Sequence, residues 1–211
     1  MTAKVVPKKK SSYHHGDLER ALVEAAAEIV RDKGIDALTL RGVGDYLGVS
    51  RSALYRHFED KSALLARLAA VGFRGLSAAL NFAQDTAQAS GREPLEEMAG
   101  AYVRYALSNP SHYRVMFGRA IDNWERYPDL VAEGEAAFSL LLNTVAKSQQ
   151  EGKIVAGDPL RLSQVIWSIV HGIATLGMDG QLTHKQAKPE ELDTLAEYAL
   201  RCVNQGIGQR K

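Results

Sequence analysis

Residues 48 to 58, GVSRSALYRHF, gather Arg51, Ser52, Ala53, Tyr55, Arg56 and His57 into a short run that follows a glycine and a serine. At about 100° per residue of helix, Leu54 and Phe58 point the same way and the opposite face centres on Arg56. That face combines small side chains, guanidinium groups, a phenol and an imidazole. The set suits a duplex groove. Small residues let the backbone come close, arginine pairs bidentately with guanine, and tyrosine, histidine and a helix N-terminus hydrogen-bond phosphates. Solvated polar residues on an ordinary helical bundle are the competing reading of the same pattern.

The flanking residues say how such a helix would be held. Thr39 is a good N-cap, and Leu38 before it can staple onto Val43; Ser50 repeats the device, with Val49 stapled onto Leu54. Gly48 separates the two short helices, so the spacing predicts a helix-turn-helix. An earlier helix is expected over 17–33, carried by Leu18, Leu22, Ala25, Ala26, Ile29 and Val30 and stopped at Gly34. Thr39 and Arg41 at the start of the second helix, and Lys61 at the start of the fourth, fall where phosphodiester walls would pass.

The fourth helix should open near Asp60 and run toward Leu76, with the polar stretch 84–94 as a connection. Beyond it, Pro94, Pro110, Pro128, Pro159 and Pro189 each stand where a first helical turn begins, and Gly118, Gly152, Gly180 and Gly206 where one stops. No alternating strand pattern occurs. The expected fold class is all-α, with an N-terminal three-helix helix-turn-helix domain and a C-terminal helical bundle. The expected divisions are a flexible basic arm over 1–12, a DNA-binding domain over 13–60, a connecting helix over 61–84 and a ligand-binding and dimerisation domain over 85–211.

Composition sets outer bounds. The 211 residues carry a net charge of +1, which excludes a uniformly basic coat, yet residues 1–70 hold 12 Lys and Arg against 9 Asp and Glu. Cys202 is the only cysteine, so an intrachain disulfide or multi-cysteine zinc site is excluded and a reduced, cytoplasmic setting is expected. No leader is expected at the N-terminus, and no window of roughly 18 apolar residues is expected to span a membrane. A glycine-rich phosphate loop, a nucleophile elbow and an HExxH motif are all missing, and His14 and His15 are adjacent rather than on one helical face. Catalysis, a metal and a cofactor are not expected.

The stretch from Tyr13 to Leu68, with YHHGDL, EAAAEIVRDKGIDALTLRGVGDYLGVS and RSALYRHFEDKSALL, resembles the DNA-binding domain of TetR-family transcriptional regulators. The family often has Gly-Thr before its Leu-Tyr pair, where this chain has Ser52-Ala53. The resemblance implies that Arg51, Ser52, Ala53 and Arg56 approach base edges while Thr39, Tyr55, His57 and Lys61 hold phosphates; packing of Tyr55 and His57 against the first helix is the other reading of those two, and Arg41 is either a phosphate contact or a solvated charge. Ser50 belongs to the same set through its cap. Farther on, NPSHYRVMFG at 109–118 and WSIVHG at 167–172 resemble the C-terminal domain of a TetR subgroup named for its Trp-His-Gly motif. That resemblance implies a cavity for a small-molecule inducer.

Tyr102, Tyr105, Tyr113, Met116, Phe117, Trp124, Phe138 and Trp167, with His171, are the expected lining, the ligand being hydrophobic or amphipathic, and the loop 120–129 an expected lid. Plain core is the other reading of these residues. One short recognition helix reads only a few base pairs, so a homodimer on a palindromic duplex operator is expected. Its interface would use the last two helices, about 159–178 and 189–206, the second through Leu192, Leu195, Ala196, Ala199 and Val203. Two functions fit: a ligand-released repressor, and a DNA-bound adaptor whose bundle recruits a protein and binds no small molecule.

Overall fold

The computed structural model describes residues 15–182 and 189–205. The basic arm over 1–12, Tyr13, His14 and Gly206 lie outside the described residues. Among those described there are nine α-helices and no strand, in the order α1 His15–Lys33, α2 Leu40–Leu47, α3 Arg51–Tyr55, α4 Lys61–Ser90, α5 Pro94–Ser108, α6 Pro110–Phe117, α7 Pro128–Gln150, α8 Pro159–Met178 and α9 Pro189–Gln205. A single 3-10 turn, Trp124–Arg126, lies between α6 and α7.

Five of these helices begin at a proline, whose fixed φ suits a first turn and whose missing N–H is not needed there. Gly152 and Gly180, just past the ends of α7 and α8, take left-handed φ of 69° and 68°, a conformation that side chains with a Cβ rarely adopt.

The chain forms two compact units. One runs to Gly72 and takes in Ser111–Ala132; the other comprises Phe73–Pro110 and the chain from Glu133 onward. α4 is therefore continuous through the boundary at 72 and 73, and α6 from Ser111 onward falls, with the 3-10 turn, in the first unit.

One local expectation is corrected. Residues 84–90 are helix rather than connection, because Ala83 and Ala87 are buried and Gln84 donates to Thr144 Oγ1 at 3.1 Å. α4 is also long and apolar enough, by length and composition alone, to cross a membrane, a test that a buried core helix passes equally. More than half of that window is buried within the fold, including Leu64, Leu65, Leu68 and Phe73.

Candidate nucleic-acid interface and aromatic cluster

The first unit presents α3 through a chain of local devices. Thr39 caps α2, its Oγ1 accepting from the N–H of Gly42 at 3.0 Å. Gly48 closes α2 with φ of 67° and donates to Asp45 O. Ser50 then caps α3, accepting from the N–H of Ala53 at 3.2 Å, and Asp60 Oδ1 accepts from the N–H of Ala63 to open α4. Each such cap is worth about 1 kcal/mol, a large contribution to helices of eight and five residues.

Leu54 and Phe58 are buried at 2% and 4% exposure and anchor α3 to the unit. A residue that sequence reasoning passed over makes the seat. A Cβ on Gly44 would stand 3.3 Å from Leu54 Cδ1, so glycine lets α3 settle against α2. The signal was available: two glycines, Gly42 and Gly44, in an eight-residue helix are a destabilising choice that needs a packing reason. Tyr46 was also passed over; its hydroxyl donates to Glu28 Oε2 at 2.5 Å and ties α2 to α1.

With Leu54 and Phe58 inward, Arg51, Ser52, Tyr55 and Arg56 are exposed, Tyr55 at 52%. Arg56 Nε donates to the Ser52 carbonyl at 3.3 Å, which orients the guanidinium along α3. Arg51 and Tyr55 border a half-open cleft of about 210 Å³ whose other wall holds Arg41 and Asp45, themselves paired at 3.6 Å. Thr39 is exposed at the start of α2, while Ala53 and His57 are half-buried. Lys61 is half-buried, its Nζ donating to the Ile35 carbonyl at 2.8 Å. A cationic, hydrogen-bonding helix with small residues at its start, mounted on a second short helix, defines a helix-turn-helix protein.

The expected ligand residues fall in both units. Tyr113 and Met116 are buried in the first unit, where the Tyr113 and Phe117 rings meet at a tilt with centroids 4.8 Å apart and a Cβ on Gly72 would meet Met116 Sδ. Trp124 lies in the same unit, on the 3-10 turn. The second unit gathers Tyr102 of α5, Phe138 of α7 and Trp167 and His171 of α8. Trp167 Nε1 donates to Tyr102 Oη at 3.3 Å, and Tyr102 Oη lies 3.1 Å from His171 Nδ1. An indole N–H can only donate, so Tyr102 Oη accepts from Trp167, and the direction of its contact with His171 Nδ1 follows the imidazole tautomer. Burial lowers the His171 pKa, which keeps it neutral. The Trp167 ring meets Phe138 edge-on at 6.0 Å.

Tyr105 lies about one turn beyond Tyr102 on α5. It borders an open groove of about 360 Å³ between α4 and α5, with Ala83, Ala101, Arg104 and an exposed Phe82. Burial pushes its phenol up to about 12. Among the described residues no group of three or more His, Cys, Asp or Glu is placed to hold a metal ion.

Comparison with known proteins agrees with this geometry. Residues 22–68 match the model for bacterial regulatory proteins of the tetR family, and residues 95–203 match the tetracyclin repressor-like C-terminal domain. The chain belongs to the tetR family of bacterial regulatory proteins. A solved structure of a protein of unknown function from Rhodococcus sp. RHA1 is 35% identical, with a TM-score of 0.77 over 90% of this chain and 96% of that one. An uncharacterized HTH-type transcriptional regulator of Bacillus subtilis is 30% identical over 46% of this chain and 50% of its own length. The class C tetracycline repressor of Escherichia coli is 45% identical over 23% of this chain and 22% of its own. The chain thus spans about half the length, or less, of these curated relatives.

Proposed function

We propose that this protein is a cytoplasmic, ligand-released repressor that binds a palindromic operator as a homodimer through its last two helices. The observation that carries the DNA reading is the division of α3. Leu54 and Phe58 are spent on the core, and Arg51, Ser52, Tyr55 and Arg56 all remain available on the other side. In this reading Arg51, Ser52, Ala53 and Arg56 approach base edges in the major groove. Thr39, Arg41, Tyr55, His57 and Lys61 hold phosphates, and Ser50 fixes the start of the helix.

The ligand reading rests on the cluster of Tyr102, Phe138, Trp167 and His171. It offers aromatic walls with a few oriented polar atoms, the usual lining of a small-molecule site. Tyr105 remains a candidate at the α4 and α5 groove. Because α4 is continuous through both units, a ligand that favours one arrangement of the second unit biases the placement of α3 by its differential affinity.

A second reading, the DNA-bound adaptor, is favoured by Phe82, 75% exposed beside the open groove. Thermal shift against lipophilic compounds, followed by operator-release assays, separates the two. A stabilising compound that lowers operator affinity supports the repressor. Operator binding with no stabilising compound, and with Phe82→Ser abolishing partner recruitment, supports the adaptor.

A further inference from the structure

Of the exposed faces in the second unit, that of α8 has an internal symmetry. Arg161, Val165, Ser168, Gly172, Leu176 and Asp179 follow one another at intervals of four, three, four, four and three residues, which places them on one stripe of the helix and its C-cap. Val165 and Leu176 are 49% and 40% exposed, and Arg161, Ser168 and Asp179 are exposed as well.

A glycine inside a helix is a destabilising choice relative to alanine, and elsewhere in this chain the reason is visible. A Cβ on Gly75 would stand 2.7 Å from Tyr105 Oη, and one on Gly177 2.6 Å from Leu192 Cδ1. A Cβ on Gly172 would meet nothing among the described residues within 4 Å. Packing among the described residues therefore gives no reason for glycine at 172. Ser168, one turn earlier, turns its hydroxyl back onto the Gln164 carbonyl at 2.7 Å and leaves a small surface.

We infer that α8 crosses α8 of a second copy in antiparallel fashion, with the two-fold axis midway between Ser168 and Gly172. This register rests on the homodimer reading above and adds to it. A two-fold at that point sets Ser168 against the partner's Gly172, so two small residues meet and the backbones approach closely. The same operation brings Arg161 opposite the partner's Asp179, since at 1.5 Å per residue each lies about 13 Å from the axis on opposite sides. At a crossing angle of about 20°, helices that far from their closest point remain within reach of an arginine side chain. Val165 and Leu176 cover the flanks between. Charge, size and apolarity thus match under one operator, as a self-complementary interface requires. Arg161 already lies 3.6 Å from Asp158 of its own chain, and its five donors can serve both carboxylates.

α9 contributes differently from the sequence expectation. Leu192 and Ala196 are buried in their own unit, and the exposed apolar residues are Leu195 and Tyr198.

Sedimentation equilibrium on the full chain tests the register, with circular dichroism as the control for folding. The wild type should be a dimer. Gly172→Leu should raise the dimer dissociation constant by about 100-fold or more at unchanged helicity, as expected for inserting a large side chain into a close backbone contact. Gly172→Ala, which favours the helix itself, should still weaken the dimer. Arg161→Asp and Asp179→Arg should each weaken it by up to about fivefold, and the double variant should recover most of the loss. A wild-type dimer that is indifferent to Gly172→Leu, or a double variant no better than the singles, overturns the register and leaves the dimer standing. A strictly monomeric wild type overturns both.

Discussion

α3 and α8 each leave a face uncovered by their own unit, but α3 offers Arg51, Ser52, Tyr55 and Arg56 where α8 offers Val165, Ser168, Gly172 and Leu176. The α3 face is cationic and rich in donors, and α3 is so short that caps and two apolar anchors hold it. The α8 face is small and apolar along a helix of 20 residues. A polyanion is met by donors on a rigid, narrow helix, whereas a protein surface is met by shape and apolar area over greater length. The difference teaches that exposure alone is uninformative until the chemistry of the exposed atoms is read.

If that contrast is right, α3 depends on its anchors more than on anything else. Leu54→Ala should destabilise the first unit by about 2–5 kcal/mol and abolish DNA binding, measured by denaturant unfolding and by anisotropy with a labelled duplex. Arg51→Ala should next relax the preference at a defined base pair by about 1–3 kcal/mol while leaving the fold intact. Tyr55→Phe should weaken binding to every sequence alike by about 1 kcal/mol, because a phosphate contact carries no base identity. A Tyr55→Phe effect confined to one base pair would move Tyr55 from the phosphate wall to the base edges.

The smallest effect expected concerns the second unit. His171 is held below its usual pKa by burial, and His112 of the first unit is lowered in the same way. In the window between the unfolded histidine value near 6.5 and the lowered folded values, the unfolded chain binds protons that the folded chain does not. Stability should therefore fall as pH drops below about 6.5. Thermal melts from pH 7.5 to 5.5 should show the decline, and His171→Gln should make it shallower. A steeper slope in that variant would contradict the assigned cause.

The helix-turn-helix was legible because its signals are local: Thr39, Gly48 and Ser50 act on neighbours within three residues, and each is observed in the role its type suggests. The proline starts of α5 to α9 were legible for the same reason. What was not legible depends on distant partners. The extension of α4 to Ser90 rests on Gln84 reaching Thr144, sixty residues on. The bulky residues from Tyr102 to His171 share helical spacing whether they line a site or fill a core. Only folding shows that Tyr113 and Met116 are sealed in one unit while Trp167 remains 38% exposed in the other.

The central claim is that α3 reads base pairs. The direct measurement is selection of bound duplexes from a random pool by wild type and Arg51→Ala at a fixed salt concentration. The wild type should enrich a palindrome whose half-site centres lie about 34 Å apart, and Arg51→Ala should lose preference at one position in each half. No enrichment by the wild type, or the same consensus from both proteins, would contradict it.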